Sequence, residues 1–143
     1  MEIEFVSAAN FLVALVSHKL NRKEQERFGK CLTQVFRQRY RDHWFRDKPY
    51  KACGFRALRI REDSFEPIIA QACGCAQISL DSVKKALPSN LTMWIDPYEV
   101  TYRIGDSEGI SCIYYYKEDQ VNVPWQAPPL PPTPNSSWFC FCK

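Results

Sequence analysis

The chain has 143 residues, 45% hydrophobic and 24% charged, with a formal net charge of +3. That balance fits one globular domain with room for a core, and it excludes a wholly disordered chain and an integral membrane protein. The charge is uneven, because residues 19–61 hold fourteen of the nineteen basic residues and only four of the sixteen acidic ones. Such a stretch is either a footprint for an acidic partner or nucleic acid, or the solvated face of a helix.

Residues 5–16 form an apolar run too short to span a bilayer. Glu2 and Glu4 stand where a signal peptide needs positive charge, and Asn10 interrupts the run, so it reads as a buried helix over residues 3–19 of an intracellular protein. Its apolar positions cover more than one face, which suits contact with both a helix and a sheet. Asn21 followed by Glu24 is a capping box. Phe28, Leu32, Val35 and Phe36 then recur at helical spacing, which predicts a second helix antiparallel to the first.

Residues 40–50 read as an ordered aromatic loop, and residues 55–60 as a strand. Short helices are predicted over residues 66–72, opening at Pro67, and over 80–87, capped by Ser79 or Asp81. Strands follow over residues 93–95, 100–104 and 110–116, divided by a turn at Pro97 and a loop bounded by Gly105 and Gly109. The plan is α+β: an N-terminal antiparallel helical hairpin and short helices packed on an antiparallel sheet of about four strands. The pattern fades after Tyr116, and six prolines stand between Pro124 and Pro134. The chain therefore divides into a domain over residues 1–118 and a Pro-rich, flexible tail over 119–143. The PxxP spacing in the tail suits polyproline II and an SH3- or WW-type partner, or else a solvated linker.

Seven cysteines, an odd number without a regular framework, read as free thiols in a reducing compartment. Cys73-x-Cys75 and Cys140-x-Cys142 have the wrong spacing for zinc, and His18 and His43 are remote from both. His43 and Cys53 lack a third group to orient them as a nucleophilic pair. No glycine loop cradles phosphate, so no catalytic residue, metal or cofactor is assigned. The basic and aromatic residues of segment 37–56 offer a direct RNA-binding reading, by phosphate contact and base stacking.

In a strand, Met93 and Ile95 share one face while Trp94 and Asp96 share the other. Trp94 is then either an outward anchor beside a carboxylate or core under a second helical layer.

The residues at this point resemble the BTG/Tob anti-proliferative family, and the N-terminal opening and Phe55 are similar to the Tob branch. The first family box reads Tyr40-x-x-His43-Trp44-Phe45-x-x-Lys48-Pro49-x-Lys51-x-x-Gly54-Phe55-Arg56, and the second runs from Leu87 through Trp94-Ile95-Asp96-Pro97-Tyr98-Glu99 to Gly105. The first box departs from the usual pattern at Arg46-Asp47, where Pro-Glu is common, and at Ala52, where Gly is common. Neither the poly(A)-binding-protein motifs of the Tob tail nor a third BTG box is recognisable after Tyr116.

The resemblance implies a non-catalytic adaptor that binds the DEDD-type catalytic subunit of the CCR–NOT mRNA deadenylase. Such proteins promote deadenylation, restrain proliferation in cytoplasm and nucleus, and in some cases act with transcription factors as cofactors. It places the deadenylase contacts at Phe55, Trp94 and Asp96, with a further one at Glu66. Trp94 is then an anchor facing solvent, and Asp96 a neighbouring acceptor on the same open face.

Overall fold

The computed structural model describes residues 1–106 and 109–116. The first helix, α1 (Glu2–Val16), runs into a short 3-10 turn at Ser17–Lys19. Gln25 Nε2 donates to the carbonyls of Ser17 (3.1 Å) and Leu20 (2.9 Å), which fixes the link to α2 (Arg22–Tyr40). The start of α2 is closed as the sequence predicts. Asn21 Oδ1 accepts from the Glu24 N–H, and the Glu24 carboxylate accepts from the Asn21 N–H, both at 2.9 Å. Phe28, Leu32, Val35 and Phe36 are buried along one stripe of α2, while Arg37 on the outer side pairs with Glu2 of α1.

Four strands follow: β1 (Ala57–Ile60), β2 (Leu91–Asp96), β3 (Glu99–Ile104) and β4 (Ser111–Tyr115). They form one antiparallel sheet in sequence order. Between β1 and β2 lie α3 (Pro67–Ala76), opened by its proline, and α4 (Leu80–Ala86), capped by Ser79. Gln77 ends α3 in the left-handed region (φ 55°), and Arg27 Nε reaches across from α2 to the Ala76 carbonyl at 3.1 Å.

Alternation sorts the strands into two faces. Leu58, Met93 and Tyr102 are side by side in register, with Ile95 and Val100 in the next row, and all five are buried. Helix α1 packs on this inner face, and its Phe11 ring lies 4.4 Å from that of Tyr102. The other side of α1 meets α2, so this helix is apolar on more than one face because it has two partners. No helix among the described residues is long and apolar enough to cross a membrane.

Two features correct the expectations from sequence. Cys31 on α2 and Cys75 on α3 form a disulfide with a Cα–Cα separation of 6.0 Å, so these two cysteines are not free thiols. Their pairing bridges elements 44 residues apart, which local spacing does not reveal. The first strand begins at Ala57, so Phe55 stands in the turn that precedes it. The Pro-rich segment, Cys140, Cys142 and the 119–143 tail lie outside the described residues.

Candidate functional site

The two sequence boxes meet around one buried guanidinium. Arg56 is fully buried, and each of its five N–H groups is used. Nε donates to the Ile95 carbonyl at 2.9 Å. Nη1 serves the carbonyls of His43 (2.5 Å) and Lys51 (2.8 Å). Nη2 serves the Pro49 carbonyl at 2.8 Å and Asp96 Oδ1 at 2.7 Å. The guanidinium also lies 5.6 Å from the centroid of the Trp44 ring. Arg56 therefore gathers the irregular segment between α2 and β1 and ties it to the end of β2.

This arrangement corrects the reading of Asp96. The residue is only 6% exposed and serves as the counter-ion of Arg56, so it does not present an open carboxylate beside Trp94. Burial pushes its carboxyl above the usual range, against the pull of Arg56. Pro97 is buried next to it, and Tyr98 takes a positive φ of 70° to complete the turn into β3. The Tyr98 N–H donates to the buried carboxylate of Glu4 on α1 at 3.1 Å, which braces that turn from the far end of the chain.

Trp94 is half-buried on the outer face of the sheet, in register with Ala57 and Thr101. The Arg103 guanidinium lies 5.8 Å from the centroid of its ring. Phe55 is 48% exposed, with His43 stacked on one side at 3.9 Å and Tyr40 edge-on at 6.1 Å. Glu66 is half-buried at the start of α3, and its carboxylate accepts from the Arg59 N–H of β1 at 3.4 Å. Phe55 directly precedes Arg56 and stands two residues before Ala57, the register partner of Trp94. One oxygen of the nearby Asp96 carboxylate, Oδ1, is held by Arg56.

The remaining box residues divide by role. Tyr40 is buried, and its phenol is raised well above the ordinary value, chiefly by desolvation and then by Glu66. Trp44 packs edge-on against Phe5 at 4.9 Å. Lys48 is exposed, while Pro49, His43 and Glu99 are half-buried. Thus two of the aromatics that the RNA-binding reading needs, Tyr40 and Trp44, are engaged with the core. Ala52, at the usual glycine position, holds φ 62°, the left-handed conformation that glycine adopts without cost. Among the described residues, no group of three or more His, Cys, Asp or Glu is placed to hold a metal ion.

The fold and site define a class, namely a small α+β domain whose two sequence boxes are locked together by an Arg–Asp pair beside an exposed aromatic surface. The chain belongs to the BTG family, whose model matches residues 1–115. It is 37% identical to Protein Tob1 of Homo sapiens over 114 residues, covering 80% of this chain and 33% of that protein. It is 36% identical to Protein BTG1 of Gallus gallus over 114 residues, covering 78% of this chain and 66% of that one. The matched region is thus about a third of the length of Tob1. Among solved structures, the BTG/Tob domain of C. elegans FOG-3 superposes with a TM-score of 0.73, covering 90% of this chain and 92% of that one. At 17% identity that likeness concerns the fold alone.

Proposed function

We propose that the chain is a non-catalytic adaptor that binds the catalytic subunit of the CCR–NOT deadenylase, promotes poly(A) shortening and restrains proliferation. Phe55 and Trp94 are the apolar anchors in this reading. Glu66 adds a polar contact at the margin, and Asp96 acts chiefly by holding Arg56 and the segment that presents Phe55. The observation that carries the reading is the half-buried indole of Trp94 on a central strand, on the face opposite α1, paired with Ala57 two residues after the exposed Phe55. Burying such an indole against a partner contributes about 1.5–3 kcal/mol by area.

Purified full-length chain captures the purified deadenylase subunit, and Trp94→Ala weakens capture by at least about 30-fold, as expected of a hot spot of 2 kcal/mol or more. The circular dichroism spectrum of the variant stays that of the parent. Unchanged affinity in a folded Trp94→Ala protein removes the indole from the interface. Salt-sensitive binding of labelled oligoadenylate by the chain alone favours the direct RNA reading through segment 37–56 instead.

A further inference from the structure

We propose that the groove between the β2–β3 turn and the end of β4 is a binding site for a polyproline II ligand, occupied by this chain's own proline segment, residues 128–134. The groove has a volume of about 430 Å³ and is walled by four tyrosines (50, 98, 115 and 116), Pro49, Pro97 and the Glu99 carboxylate. Tyr50, Tyr115 and Tyr116 are 70%, 58% and 43% exposed. They are three of the six large hydrophobic side chains exposed among the described residues, gathered around one groove.

The walls are held before any ligand arrives. The Tyr116 N–H donates to the Tyr98 carbonyl at 2.8 Å, and the two rings stack at 5.8 Å. Tyr98 is fixed by the hydrogen bond its N–H donates to the Glu4 carboxylate, and the carbonyl of Pro49 by Arg56. Tyr50 Oη donates to Glu99 Oε2 at 3.3 Å across the mouth. Preorganised walls remove part of the ordering cost of binding.

The lining selects among ligand classes. It contains no lysine or arginine, so phosphate and nucleic-acid backbones have no counter-charge there. Flat tyrosine faces and pyrrolidine rings instead match the ridges of a polyproline II helix, whose carbonyls are free of internal hydrogen bonds and whose ordering cost is low.

The sequence supplies such a ligand close by. The described chain ends at Tyr116, itself a wall of the groove, and continues through Pro128-Pro129-Leu130-Pro131-Pro132-Thr133-Pro134. That stretch carries three overlapping PxxP spacings, beginning at Pro128, Pro129 and Pro131. The eleven intervening residues, 117–127, reach up to ~35 Å when extended, ample for the chain to turn back over the groove it has just left. Tethering at that length gives an effective concentration on the order of millimolar, enough for a weak groove to be filled.

The test uses the full chain and a fluorescein-labelled synthetic peptide of residues 124–137. A full-length variant carrying Pro128→Ala, Pro129→Ala, Pro131→Ala, Pro132→Ala and Pro134→Ala binds the peptide saturably, at least tenfold tighter than the parent, whose groove is already filled. Adding Tyr50→Ala to that variant, at a mostly exposed position, abolishes binding while the circular dichroism is retained. Absence of saturable binding by the proline variant overturns the site. Equal binding by variant and parent overturns the occupant and leaves a groove for proline-rich partners. A parent that sediments as a concentration-dependent dimer, while the proline variant is a monomer, places the segment in a second copy and overturns the intramolecular arrangement.

Discussion

Asp96 and Arg56 form a buried ion pair at 2.7 Å, and the pair joins the last residue of β2 to the segment that leads into β1. Around it, four carbonyls from residues 43, 49, 51 and 95 take the other N–H groups of the same guanidinium. The shape of an irregular segment is thus decided by one side chain and not by its own backbone pairing.

Truncating either partner is therefore a stability mutation. Arg56→Ala leaves a buried carboxylate and four carbonyls without their donor, and Asp96→Ala leaves a buried guanidinium without its counter-ion. Each should cost about 3–5 kcal/mol in urea unfolding. Trp94→Ala should cost clearly less, because that side chain is half-exposed. A stability for Asp96→Ala equal to that of the parent would show that the pair does not hold the segment.

Ala52→Gly should stabilise the fold. An alanine at φ 62° bears a left-handed penalty of roughly 1–2 kcal/mol, which glycine avoids at the cost of a more flexible unfolded chain. A net gain of about 0.5–1 kcal/mol is expected, read as a higher urea midpoint with an unchanged slope. A lower midpoint in Ala52→Gly would argue against the left-handed turn.

The Cys31–Cys75 bridge closes a sequence separation of 44 residues and pins α2 to α3. By loop entropy such a link is worth up to about 4 kcal/mol. Dithiothreitol should lower the thermal midpoint of the parent and leave that of Cys75→Ser unmoved. Identical midpoints for the parent with and without reductant would mean that the bridge does not form.

Cys73 lies two residues from the bridged Cys75, buried on the inner side of α3, and burial pushes its thiol from 9.0 up to about 11. The folded state therefore prefers the neutral thiol more strongly than the unfolded chain does. The stability this gives is complete below about pH 9 and is lost as the pH rises through about 11. At pH 8, iodoacetamide should label Cys73 only in urea, as mass spectrometry of tryptic peptides would reveal. Rapid labelling of Cys73 itself in the native protein contradicts that burial.

The sequence made the regular elements legible where periodicity and capping act locally. Asn21 and Glu24 close α2 as their spacing implies, and Met93 and Ile95 fill the core as strand alternation requires. Alternation names a face but not what lies over it. Asp96 shares the outer side with Trp94 in pattern, yet it is buried because Arg56 arrives from 40 residues away. Tyr40 and Trp44 read equally well as a nucleic-acid platform until Phe5 of α1 is seen packed against both. Such long-range partners, like the Cys31–Cys75 bridge, leave no trace in local spacing.

The four-residue β1 forms one border of the sheet, with the Arg59 side chain exposed and the Arg59 amide engaged by Glu66. A short, charged border with an amide already taken is a poor template for a stray strand from another molecule. At this border, consequently, the sheet does not invite a second molecule to extend it edge to edge.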